Sequence, residues 1–248
     1  MKHLLATSIV SLALSGLANA EDVTVFAAAS LTDAVQEIAR AYEASSGNKV
    51  VFNLGASNDL ARQIQSGAGA DVFFSADSAQ MDTLERAGLV RAGDRVDVLS
   101  NVLVVVVPAD STNSLRSAAD LASLRRIALA DPEAVPAGVY ARTYLQSAGL
   151  WEKLKEKVIP TLNVRAALAA VESGNVEAGI VYRTDAAASR RVRVAFEVDR
   201  EKGPRIVYVL APLASSKKAA ARDLVHHLLS AEARRIYEKH GFIVIAGR

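Results

Sequence analysis

Ser30 stands in the stretch VFAAASLTDAV (25–35), where an apolar run gives way to a helical pattern across a join of three alanines and one serine. A serine at a helix start caps unpaired backbone N–H groups, and Asp33, three residues on, completes an acidic variant of the capping box. The same hydroxyl can instead be offered to a ligand, and the residues alone leave both roles open. Ser57 in LGASNDLARQ repeats the arrangement of strand, small residues, serine and helix. DPEAVPAGVYA (131–141) repeats it without a hydroxyl: Pro136 is preset for a first helical turn, and Ala137 and Gly138 leave the backbone N–H groups reachable. In LNVRAAL (162–168), Asn163 reads as a cap and Val164 as the first helical residue. Helix N-termini carry unpaired N–H groups and a partial positive charge, so four of them stripped of bulky side chains point to a small anion held by neutral donors.

Other chemistries find little support. His226, His227 and His240 fall in the C-terminal helical region, and adjacent histidines on a helix diverge by about 100°, which makes a poor metal pair. With no cysteine and no His-x-x-x-His or Glu-x-x-His spacing, a transition-metal site is not expected. No nucleophile elbow, Walker loop or dinucleotide fingerprint occurs, which weighs against covalent catalysis and nucleotide binding. Asp71, Asp77 and Asp131 are the carboxylates an exported α/β hydrolase would use, although aspartate at such positions ordinarily caps a helix or closes a turn. Lys and Arg total 29 against 27 Asp and Glu, so nothing favours nucleic acid or a membrane surface as a partner.

The elements that position these residues follow from periodicity. Residues 1–20, MKHLLATSIVSLALSGLANA, have the basic start, apolar middle and small-x-small end of a cleaved signal peptide, which places the rest in the periplasm. The absence of cysteine also excludes disulfides and a lipid-attached N-terminus of the bacterial lipoprotein kind. Strands then alternate with helices: DVTVFAAA, KVVFNLGA and ADVFFSA each precede a helical pattern. In the first helix Leu31, Ala34, Val35, Ile38 and Tyr42 form one face. SNVLVVVVPAD (100–110) opens a second βα series, and RIVYVLAPLASS leads a C-terminal strand and helix back to the first. The expected architecture is α/β, with two mainly parallel, helix-flanked sheets in lobes of 21–100 plus 205–248 and 101–204, hinged across VLVVVVP and RIVYVLAP.

Taken together, VFAAASLTDAV, ASNDLARQI, GADVFFSAD, LADPEAVPAGVYAR, NVRAALAAVESG and AGIVY resemble the periplasmic molybdate-binding proteins of ABC transporters, in order from Val23 to Phe242. The resemblance implies a two-lobed, type II periplasmic binding protein that is not an enzyme. It would close on molybdate or tungstate as a monomer and deliver it to a membrane permease. It implies hydroxyl contacts from Ser30, Ser57 and Tyr182 and backbone N–H contacts from Ala137 and Val164, the molybdenum being held as its oxyanion with no direct metal ligand and no cofactor. Tyr182, read from the residues alone, is the core-facing end of a strand. Ala56-Ser57-Asn58 stands where many family members run several serines together. A receptor for sulfate or another tetrahedral oxyanion is the neighbouring alternative.

Overall fold

The computed structural model describes residues 20–245, so the expected signal segment lies outside it apart from Ala20. The first lobe begins with β1 (Asp22–Ala28), α1 (Thr32–Ser46), β2 (Lys49–Gly55), α2 (Ser57–Gln65), β3 (Val72–Ser75), α3 (Ser78–Arg86) and β4 (Val96–Ser100). The second holds β5 (Leu103–Pro108), β6 (Ile127–Ala130), α4 (Pro136–Ser147), α5 (Trp151–Leu154), β7 (Val158–Thr161), α6 (Val164–Glu172), β8 (Ala178–Tyr182), α7 (Arg183–Ala187) and β9 (Val192–Glu197). The chain then returns to the first lobe as β10 (Tyr208–Pro212), α8 (Ala219–Leu228), α9 (Ala231–Lys239) and β11 (Ile243–Val244).

The strand orders are β11-β4-β10-β3-β1-β2 and β7-β6-β8-β5-β9. Where the sequence pattern predicts mainly parallel sheets, each is mixed. β2, β1 and β3 run parallel, as do β7, β6 and β8, whereas β10, β4 and β11, and likewise β5 and β9, pair antiparallel. The cause is connectivity. Parallel neighbours need a crossover helix, while β5 and β10 arrive from the other lobe without one. The crossings are Asn101-Val102 and residues 198–207, which overlap the starts of the two segments expected to hinge, at Val102 and at 205–207. The β-branched run itself is β5, paired on both sides and buried from Leu103 to Val107.

The predicted face of the first helix is the buried one: Leu31, Ala34, Val35, Ile38 and Tyr42 are all inaccessible to solvent or nearly so. α1 ends at Gly47, whose φ of 75° and N–H bond to the Glu43 carbonyl form a left-handed stop. One apolar cluster runs through both lobes, and a smaller one, including Phe26, Phe73, Met81 and Leu84, fills the other face of the first sheet.

Gly138 has a different role from the one its position suggests. A Cβ there would lie 2.1 Å from the Ala130 carbonyl oxygen and 2.4 Å from that of Asp131, so the missing side chain lets the α4 N-terminus press onto the end of β6. Gly138→Ala is expected to destabilise the protein by about 1–3 kcal/mol, as overpacking does, lowering the melting temperature by roughly 3–10 °C. Gly69→Ala, with open space around it, is the control and should melt with wild type. Equal melting of both variants would refute the close approach.

Candidate ligand-binding site

Each putting-together of this site starts at the end of a strand. β1 stops at Ala28, and Ala29–Leu31 form a 3-10 turn that leads into α1. Ser30 therefore sits inside that turn and is not the N-cap of α1: Leu31 holds that place without a side-chain bond, and Asp33 makes no capping box with Ser30. Its buried Oγ lies 3.0 Å from the Tyr208 hydroxyl, 178 residues away. Asn101 Nδ2 donates to that same Tyr208 oxygen at 3.3 Å and to Thr184 Oγ1 at 2.9 Å. Ser30 Oγ and the Tyr208 hydroxyl share one hydrogen bond in which either can donate, and each hydroxyl oxygen can accept a further bond.

Ser57 is the first residue of α2, after the N-cap Ala56, and its Oγ accepts the Ala76 N–H at 2.9 Å. Its own O–H takes no part in that bond and can donate elsewhere. Tyr182 closes β8 at 1% exposure, and its hydroxyl has no hydrogen-bond partner among the described residues. Burial, seconded by the neighbouring Tyr208, pushes the Tyr182 pKa well above the ordinary phenol value, so it remains a proton donor. Ala137 follows Pro136, the first residue of α4, and Val164 opens α6 behind Asn163, which caps it by accepting the Ala166 N–H at 3.0 Å. N–H groups at these first positions have no partner within their helices.

The structure brings all five sequence-predicted residues to one inter-lobe cleft. Ser30, Ser57 and Ala76 line it from the first lobe, and Ala137, Val164 and Tyr182 from the second. It leaves about 10 Å³ of open space, on the order of one water-sized sphere and far below the 300–1,000 Å³ usual for an organic ligand. None of the described lining residues is charged. A larger hollow of about 460 Å³ lies along the two crossings and shares no lining residue with the cleft. The arrangement presents convergent neutral donors, and the Ser57 hydroxyl oxygen already accepts from the protein.

None of the described residues lining this cleft is a carboxylate. Asp77 caps α3 by accepting the Gln80 N–H, Asp131 accepts the Glu133 N–H, and Asp71 accepts from Thr24 N–H, Ser216 and Lys218. Asp185, fully buried, accepts the Tyr182 N–H at 3.3 Å and pairs with Arg165 at 2.7 Å. Burial pushes its pKa up to about 6, against the pull of Arg165. His226 and His227 lie in the last turn of α8, and His240 bonds Glu37 at 2.8 Å. Among the described residues no cluster of three or more His, Cys, Asp and Glu is placed to hold a metal. Sequence reasoning missed Asn101 and Tyr208; the one available signal was a lone asparagine between two strand patterns.

Two helix-flanked lobes joined by two crossings and meeting at a small donor-lined cleft define a solute-binding protein. Residues 23–243 match the family model described as bacterial extracellular solute-binding protein. The chain is 38% identical over 250 residues to the molybdate-binding protein ModA of Escherichia coli, covering 98% of this chain and 97% of that protein. It is 36% identical over 243 residues to ModA of Haemophilus influenzae, covering 96% and 95%. Its fold matches the periplasmic molybdate-binding protein of Azotobacter vinelandii (TM-score 0.80, 24% identity, 90% of this chain and 99% of that one). It also matches the sulfate-binding protein SubI of Mycobacterium tuberculosis (TM-score 0.82, 20% identity, 92% and 88%). The chain belongs to the bacterial extracellular solute-binding protein family.

The unpartnered hydroxyl gives a test that needs no ligand. A buried polar group without a partner costs about 1–3 kcal/mol, so ligand-free Tyr182→Phe should melt at or above the wild-type temperature. Ser30→Ala and Tyr208→Phe each break the same bond, so each should lower stability by about 1 kcal/mol and the double variant by less than the sum. Denaturant titration of the four proteins checks both statements; a marked loss in Tyr182→Phe, or strict additivity of the pair, would contradict them.

Proposed function

We propose that this protein captures molybdate, and also tungstate, between its two lobes and hands it to an ABC permease in the membrane for import. The observation that carries this reading is the cleft itself: small, free of charged side chains, and lined by Ser30, Ser57, Ala137, Val164 and Tyr182, with the Tyr182 hydroxyl buried and unpartnered. Hydroxyl donors from Ser30, Ser57 and Tyr182 and backbone donors from Ala137 and Val164 would surround the oxyanion's oxygens. Charge-assisted bonds of this kind are worth about 1.5–3 kcal/mol each, enough to offset the burial of a dianion. The naming of relatives at 36% and 38% identity as molybdate-binding supports the choice of anion.

Selectivity follows from donor chemistry and size. Sulfate has the same charge and shape but shorter bonds, so a cage set for molybdate leaves some donors out of reach. Phosphate near neutral pH keeps a proton that needs an acceptor, and the described residues lining the cleft include no carboxylate to take it. The lobes are taken as residues 21–100 with 205–248, and 101–204, closing about the two crossings when ligand bridges them. The protein works in the periplasm as a monomer after removal of residues 1–20, without cofactor or catalysis.

Calorimetric and thermal titration with molybdate, tungstate, sulfate and phosphate tests the reading. At about 100-fold above Kd, molybdate should add roughly 2.7 kcal/mol of stability, a rise of roughly 5–10 °C. An equal shift with sulfate would refute the specificity. Site assignments are tested at Val164. Asn163 already has φ −162° and ψ 176°, an extended backbone that proline tolerates after it. Val164→Pro should therefore fold yet bind about 10- to 150-fold more weakly through loss of one N–H, while Val164→Ala binds nearly as wild type. Normal binding by folded Val164→Pro would remove Val164 from the site.

A further inference from the structure

Arg165 is the second residue of α6, one position past Val164, and its guanidinium spans the seam between the lobes. Nη2 donates to Asp33 Oδ2 at 2.6 Å, on α1 of the first lobe. Nε lies 2.7 Å from Asp185 Oδ1 in the second lobe. Asp185 also receives the Tyr182 N–H through its other oxygen. One side chain thus joins the three backbone segments that follow Ser30, contain Val164 and follow Tyr182. Arg165 is not among the residues lining the cleft, so it acts on the site through those segments.

The two halves of this bridge differ in kind. The Arg165–Asp185 ion pair lies wholly within the second lobe, with Asp185 at 0% exposure, so it does not depend on the lobes meeting. Asp33 is 45% exposed and belongs to the other lobe, so its bond exists only when the lobes are together. A side-chain bond from α7 to the first lobe, Arg183 Nη2 to the Gly241 carbonyl, is longer at 3.4 Å and has a neutral acceptor.

We propose that Arg165 is a latch: a positioning residue, anchored by Asp185, that grips Asp33 on closure and so slows release of the bound anion while holding Val164 and Tyr182 in place. The latch rests on the reading of this cleft as a molybdate site. It makes closure and assembly of the donor cage a single event, since the residue that fastens the lobes is tied to the backbone of the cage. A two-sided ion bridge also suits arginine over lysine, whose single ammonium cannot serve two carboxylates from separate nitrogens.

The test is molybdate binding by the full mature protein, with affinity from calorimetry and release measured by chasing labelled molybdate with excess tungstate. Asp33→Asn should weaken affinity about 2- to 5-fold, nearly all of it in a faster off-rate, with ligand-free melting unchanged because Asp33 is half-exposed. Arg165→Met should do at least as much, Arg165→Lys should recover part, and the Asp33→Asn, Arg165→Met double variant should resemble Arg165→Met alone. Small-angle scattering of the molybdate-loaded Asp33→Asn protein should show a larger radius of gyration than loaded wild type. A wild-type off-rate in Asp33→Asn overturns the latch even if Arg165 variants fail to fold, and additive effects of the two substitutions overturn it as well. Absence of molybdate binding by wild type would instead remove the functional reading beneath it.

Discussion

A hydroxyl has one proton to give, and in this protein the surroundings hold the serine hydroxyls in place beside the cleft. Asn101 donates to Tyr208, Tyr208 shares a hydrogen bond with Ser30, and the Ala76 N–H donates to Ser57, so both serine side chains are fixed before anything enters the cleft. Tyr182 reaches the same place with no partner at all. A cage oriented in advance loses little entropy on binding, and dipoles fixed in a dry seam act more strongly than the same groups in water. The rest of the structure can be understood as what keeps these few bonds in place.

The mixed sheets serve that end. The parallel half of each sheet sends β1, β2 and β6 toward the cleft and starts a helical segment there, which is where an open α/β sheet presents backbone N–H groups. The antiparallel half carries the connections between lobes. Formal charges are kept one step back: Asp77 and Asp131 are occupied with a cap and a turn, and the Asp33–Arg165–Asp185 group lies in the seam beside the cage. A guanidinium in the cage itself would bind anions with less regard to size, because one strong charge outweighs several directional bonds.

Much of this was legible in the sequence where the cause is local. The face of α1, the proline start of α4 and the Asn163 cap before Val164 each depend on residues within one or two turns, and pattern reasoning places them correctly. It fails where a distant partner takes over. Ser30 and Asp33 have the spacing of a capping box, yet Ser30 bonds Tyr208 and Asp33 bonds Arg165, 178 and 132 residues away. Gly138 looks like a gap left for a ligand, but the atoms that need the gap belong to β6. β9 escapes notice because VRVAFE is only partly buried and follows an arginine pair that reads as solvated surface. Tyr182 needed the family resemblance, since nothing local distinguishes an unpartnered tyrosine at a strand end from a packed one.

The position of β10 in the first sheet has a consequence for how the chain acquires its structure. β10 lies between β3 and β4, so β4 and β11 are joined to β1, β2 and β3 only through it. A chain emerging from its N-terminus holds an unfinished sheet until residue 212 arrives, with the whole second lobe interposed. Pairings over such separations form slowly because a long loop must close first. Nascent chains of this topology therefore stay open longer than their helices and strands would suggest, within reach of chaperones and of any translocation machinery that accepts only unfolded polypeptide.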